Sequence, residues 1–207
     1  MVASKEGHLP IVERLLARGA NPNVMPHDGK TCFYFACQNG YLAVAERLYA
    51  EKVDIHAAGK IGWTPLWGAC FSGHVPVVDF LLAHGAVADL ERTTNAGSTP
   101  LMVASKEGHL PIVERLYAEK VEIHAANKGG GTPLMAACLN GHVSIVDYLL
   151  AHGAEADLER AIEGYTPLML ASEKGDLPIV ERLLARGANP NVKDDTGVTC
   201  FYVACQN

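Results

Sequence analysis

Nine histidines and six cysteines are the residues of this 207-residue chain best suited to ligate a metal or to act as acid, base or nucleophile. Their spacing supports none of these roles. Zinc chemistry calls for His-Glu-x-x-His on a helix or paired Cys-x-x-Cys, which bring ligands within reach of one ion; neither occurs. Cys32 and Cys37 are five residues apart, as are Cys200 and Cys205. On a helix that advance is about 140° beyond a full turn, so the two thiols diverge. Cys37, Cys70, Cys138 and Cys205 each follow Ala in an apolar segment and read as small core residues. A reducing, cytoplasmic setting is expected. His84 and His152 fall at expected helix C-termini, where a partly charged imidazole suits the helix dipole. His56 and His124 hold equivalent places after a helix, and only His27 is irregular. There is no Gly-x-Ser-x-Gly, and Gly129-Gly130-Gly131 lacks the Gly-Lys-Ser/Thr of a phosphate loop. Nothing arranges Ser, His and Asp as nucleophile, base and orienter. The expectation is therefore no enzyme, no catalytic residue, no metal and no cofactor.

Composition narrows the partners. The charge sum is 17 − 23 = −6, and a mildly acidic chain lacks the basic footprint that neutralises nucleic-acid phosphates. Aromatic content is 7%, low for a base-stacking platform. No apolar run approaches the roughly 18 residues of a membrane span, and Met1 to Glu6 shows no signal-peptide core. With 49% hydrophobic residues the chain can bury a core, so wholesale disorder is not expected.

What must position any functional residue is a repeat. Residues 1–15 recur unchanged at 102–116, and 9–24 recur unchanged at 177–192. A shorter unit underlies both, opening with Gly-x-Thr at Gly29, Gly62, Gly97, Gly130, Gly164 and Gly197. The repeats divide as a partial unit at 1–28, complete units at 29–61, 62–96, 97–129, 130–163 and 164–196, and a truncated one at 197–207. No linker interrupts them, so 1–207 reads as a single array. A two-unit alternation is superimposed: EKVDIHAA at 51–58 returns as EKVEIHAA at 119–126, and LLAHGAVADLER at 81–92 returns as LLAHGAEADLER at 149–160.

Each unit codes for two short helices. In the fourth, Thr99 is an N-cap candidate with Pro100 at the first helical position, and the helix stops near Gly108. Pro111 starts a second helix whose Ile112, Val113, Leu116 and Tyr117 form one apolar stripe, with Glu114, Arg115 and Glu119 largely outside it. Gly19, Gly85, Gly153 and Gly187 are the expected left-handed caps. Lys52 and Lys120 stand in that place in two units, and a left-handed Lys120 is expected there.

These segments resemble ankyrin repeats. The resemblance rests on Gly-x-Thr-Pro-Leu at Gly62, Gly97, Gly130 and Gly164, on Gly-His at His74, His109 and His142, and on Leu-Leu-x-x-Gly-Ala. It recurs in phase over the whole chain. It implies an all-α solenoid of stacked antiparallel helix pairs with projecting turn tips, and a concave face of tips and first helices that mostly binds other proteins. It also implies a structural role for His8, His74, His109 and His142. The chain departs from the family where His usually follows Thr-Pro-Leu: Tyr34, Trp67, Met102, Met135, Met169 and Tyr202 stand there, and Cys32 and Cys200 replace Pro. The ends lack polar capping repeats, so end-to-end self-association through uncapped termini is expected.

Internal copies show which positions the frame leaves free. Residues 1–39 and 169–207 differ at Val2, Lys5, Glu6, His8, Met25, Pro26, His27, Asp28, Lys30 and Phe35. Most of these map to tips or to the exposed end of the first helix, which fits either varied contact residues or drift at solvated sites. The third unit adds bulk, with Lys60, Ile61, Trp63, Phe71 and Ser72 at tip and concave positions. Trp63 and Phe71 are either an apolar contact patch or side chains folded over their own turn and a neighbouring unit. The expected partner-binding residues are Lys30, Lys60, Ile61, Trp63, Phe71, Asn95, Ser98, Leu139, Asn140 and Tyr165. The function read from the sequence is a protein-interaction module. The alternatives are an engineered or structural array without a natural ligand, and a regulatory segment of a larger protein whose catalytic part lies elsewhere.

Overall fold

The computed structural model describes residues 2–206. Its contacts divide the chain into two compact units, one up to Asn95 and one from Ala96. The division falls beside the predicted repeat boundary at 96/97, so no helix pair is cut. The first unit holds α1 (Val2–Lys5), α2 (Leu9–Leu16), α3 (Cys32–Gln38), α4 (Leu42–Ala50), α5 (Pro65–Ser72) and α6 (Val75–Ala83). The second holds α7 (Pro100–Glu107), α8 (Leu110–Ala118), α9 (Pro133–Leu139), α10 (Val143–Ala151), α11 (Pro167–Glu173), α12 (Leu177–Ala185) and α13 (Cys200–Ala204). Among the described residues there is no strand, only an isolated bridge between Ile162 and Tyr165. The fold is all-α, as the periodicity predicts.

The first helix of each pair starts where it does because a threonine caps it. The hydroxyls of Thr31, Thr64, Thr99, Thr132 and Thr166 accept from the backbone N–H three residues on, at 3.1, 3.1, 3.2, 3.3 and 3.4 Å. Proline follows at the first helical position in four of these helices, where its missing N–H costs nothing. The second helices begin one residue before the position that proline suggests: α8 starts at Leu110, with Pro111 inside its first turn. Its Ile112, Val113 and Leu116 are buried, and Glu114 and Arg115 face solvent.

Where a first helix ends, glycine is required by space as well as by conformation. Gly108 has φ of 83°, and a Cβ there would sit 2.6 Å from the His142 ring. That ring also lies with Nε2 2.7 Å from the Lys106 carbonyl oxygen, so the imidazole N–H caps a helix end in the preceding pair. The Gly-His dipeptide is thus one stacking joint.

The predicted left-handed caps are present. Gly85 and Gly153 have φ of 104° and 108°, and Lys52 and Lys120 adopt 58° and 62°. A side chain in this region costs about 1 kcal/mol or more relative to glycine. Lys120→Gly is therefore expected to raise the urea midpoint by about 1 kcal/mol of stability at unchanged m-value. An unchanged midpoint would mean that the strain is relieved elsewhere.

One cysteine differs from expectation. Cys37, Cys70 and Cys138 are buried, but Cys205 is exposed, because no second helix packs over α13 among the described residues. The same difference separates identical sequence in the two copies: Phe33 and Tyr34 are 1% exposed, whereas Phe201 and Tyr202 are 77% and 53% exposed.

Candidate functional site

The place usually held by histidine is where the first unit builds its most unusual feature. Tyr34 on α3 and Trp67 on α5 occupy it and are buried. Trp63 on the preceding tip lies parallel to both, its ring centroid 6.5 Å from that of Tyr34 and 5.2 Å from that of Trp67. Phe71, one turn further along α5, stacks on Trp67 at 5.5 Å. Trp67 and Phe71 share one face of α5 because four residues make slightly more than a turn, Trp63 reaches that face from the turn before the helix, and α5 presses against α3, which supplies Tyr34. The result is a column of four near-parallel rings, each contact stabilising by about 0.5–1.5 kcal/mol beyond burial. The Lys30 ammonium sits 4.3 Å from the Trp63 centroid and 5.5 Å from that of Tyr34, placing a cation over the ring faces.

Trp63 folds over its own turn onto Trp67, and Phe71 stacks on Trp67 of its own repeat. The rings pack on one another, and the column reaches the surface at Phe71, which is 37% exposed, while Ile61, two residues before Trp63, is 43% exposed. Lys60 is exposed on the same tip. Asn95 is exposed but engaged: its side-chain N–H donates to the Lys60 carbonyl at 3.1 Å and its backbone N–H donates to that of Ile61 at 2.9 Å, so it ties two tips together. Two polar atoms inside the column, the Tyr34 hydroxyl and the Trp67 indole nitrogen, are buried without a hydrogen-bond partner. Burial, with the Asp28 charge adding to it, pushes the Tyr34 phenol well above its ordinary range, so it stays a neutral hydroxyl.

The remaining predicted residues lie in the second unit. Ser98, Leu139 and Asn140 line one groove of about 180 Å³, floored by Met102, Met135, Ile162 and Leu170. Tyr165 lines an adjoining hollow that shares Ile162 and Leu170 with that groove.

A buried aspartate cluster is not announced by any motif in the sequence. Short 3-10 turns at Ala86–Asp89 and Ala154–Asp157 carry Asp89 and Asp157 inward, leaving them 2% and 1% exposed. His56 Nδ1 lies 2.9 Å from the Asp89 carboxylate, and His124 Nδ1 lies 3.1 Å from that of Asp157. Arg92 and Arg160 complete each cluster at 3.4 Å, and each also donates to the partner histidine's carbonyl, at 2.8 and 2.7 Å. The arrangement pairs a potential base with an orienting carboxylate, but arginine occupies the third place, so it holds adjacent repeats together. The clue was in the alternation: IHAA and the following ADLER recur together.

The other titratable groups are structural. His84 and His152 bond the Phe80 and Tyr148 carbonyls of their own helices at 2.7 and 2.6 Å. Arg182 forks onto Asp147 at 2.7 and 2.8 Å, and Arg186 pairs with Glu155. Burial pushes the thiols of Cys37, Cys70 and Cys138 far up, and only a thiolate attacks a disulfide reagent. At neutral pH, Ellman's reagent is expected to titrate Cys205 first and to leave these three untouched until denaturant is added. Rapid native reaction of all six thiols would contradict the packing. No group of three His, Cys, Asp or Glu side chains that could hold a metal occurs among the described residues, and no helix there is long and apolar enough to cross a membrane.

A family model described as ankyrin repeats matches residues 1–94, 36–127 and 101–194. Among solved structures, the crystal structure of the human ASB11 ankyrin repeat domain is similar, at TM-score 0.87 and 29% identity over 98% of this chain and 89% of that one. No curated protein matches by sequence.

Proposed function

The chain belongs to the ankyrin repeat family, and from that premise we propose that it binds a protein partner on the tip and first-helix side of its first unit. Domains of this family are usually protein-interaction modules and usually not catalytic. The observation that carries the reading is the ring column that ends in exposed Phe71, with Lys30 over its Trp63 ring and Ile61 exposed on the same tip as Trp63. Stacked aromatics are rigid and lose little entropy on contact, and large aromatic anchors dominate interface energies. Trp63 and Phe71 are the proposed anchors, with Lys30, Lys60 and Ile61 around them.

The test is position-dependent cross-linking. A photoreactive residue at Ile61, introduced into the full chain and irradiated in lysate of its source cell, should trap a discrete protein that is not trapped from Glu181, an exposed residue of α12. Equal capture from both positions would remove the assignment.

A second contact joins copies of the 207-residue chain end to end. It is supported by the exposure of Phe201 and Tyr202, whose counterparts Phe33 and Tyr34 are covered, and by exposed Val2, Ile11 and Leu15 near the other end. Head-to-tail contacts of this kind propagate. Sedimentation should show mass rising with concentration, and Phe201→Ser should weaken the association at least about tenfold. A monomer up to millimolar concentration would contradict it.

A further inference from the structure

The second unit contains a hollow surface that the ring column does not explain. One part of it is the groove between α7, α9 and α11, lined by Met102, Met135, Leu139 and Leu170. Leu139 is 39% exposed at its wall. A volume of about 180 Å³ suits one large aliphatic side chain rather than a cofactor. At one end the charge is already neutralised, since Lys106 Nζ is paired with Glu107 at 3.1 Å.

The other end is acidic. Ile162 and Leu170 continue into a second hollow lined by Tyr165, Glu163 and Glu173. Glu163 holds a left-handed backbone, φ 51°, in the tight turn between Ile162 and Tyr165, followed by Gly164 at 83°. The next tip abuts this turn: a Cβ on Gly164 would lie 2.8 Å from that of Asp194. Asp194 remains ionised well into acid, its carboxyl held below the usual range by the Thr196 hydroxyl and by the Val198 N–H. Asp195 follows it, and Lys193 is the one cation on that tip. An apolar slot therefore opens toward an aromatic face flanked by carboxylates.

We propose that this slot binds a segment of a partner protein carrying a large aliphatic side chain next to a lysine or arginine. The aliphatic group fills the groove between Met135, Leu139 and Leu170. The cation lies over the Tyr165 ring beside Glu163, where ring face and carboxylate attract it together. The proposal rests on the protein-binding reading of the family, but not on the Trp63 column.

The test is selection of a phage-displayed library of random twelve-residue peptides on the full chain. Enriched peptides should carry Leu, Ile or Met within two positions of Lys or Arg. Resynthesised, they should lose at least about tenfold in affinity with Leu139→Ala and with Glu163→Gln. They should also weaken as salt rises, and bind unchanged to Trp63→Ala. Circular dichroism of each variant keeps folding separate from binding, and Glu163→Gln lies on an exposed turn. Enrichment of acidic peptides, affinity unchanged by both groove variants, or no enrichment at all would overturn the proposal. Peptides that bind but depend on Trp63 would overturn it while leaving the protein-interaction reading standing.

Discussion

Removing both side chains that hold Asp157, as His124→Ala with Arg160→Ala, is expected to cost about 3–5 kcal/mol of unfolding free energy. Asp157 is 1% exposed, and its carboxylate is held by these two side chains at 3.1 and 3.4 Å. Without them a buried charge is left uncompensated, which is the expensive way to break an ion pair. Asp157→Ala should cost less, about 2 kcal/mol, because His124 and Arg160 are 34% and 47% exposed and keep their hydration. The order of the two costs is the diagnostic result. Urea unfolding of both variants measures it, and the same pair of variants at Asp89, with His56 and Arg92, should repeat it in the first unit. If Asp157→Ala were the more damaging, the carboxylate would matter for something other than its contacts with His124 and Arg160.

The cluster also explains what the sequence could and could not disclose. Helix positions were legible because they are local: a threonine, a proline and a glycine at fixed offsets set each start and stop, and the structure departs only by the single residue between Pro111 and Leu110. The left-handed Lys120 followed from the glycines at equivalent places in other units. The His124–Asp157 contact spans 33 residues and depends on a 3-10 turn that no periodicity announces. Its only trace was the shared alternation of IHAA and ADLER.

The candidate site was half legible for a similar reason. Trp63 and Phe71 stood out by residue type. Trp67, which links them, was read only as a departure from the usual histidine, because four-residue spacing across a turn-to-helix junction shows its meaning only when the rings are seen parallel. Residue type marks Asn95 as a contact residue but does not disclose that its side chain bonds the Lys60 carbonyl. Cys205 was taken for core by its Ala-Cys context, which describes a helix face but not whether anything packs on it.

Trp63→Ala has the largest expected effect on binding. It removes the middle of the column, so Tyr34 and Trp67 lose a stacked neighbour and Lys30 loses the ring it approaches at 4.3 Å. Aromatic anchors of this kind often carry 2 kcal/mol or more, whereas exposed charges at a rim carry little. The fold should survive, since Trp63 lies on the tip before α5, whose start is fixed by the Thr64 cap. The decisive measurement is calorimetric titration of the cross-linked partner, once identified, against Trp63→Ala and Glu181→Ala chains of matched helicity. The expected result is at least about tenfold weaker binding for Trp63→Ala, which is 1.4 kcal/mol, and unchanged affinity for Glu181→Ala. Equal affinities for the two folded variants would contradict it.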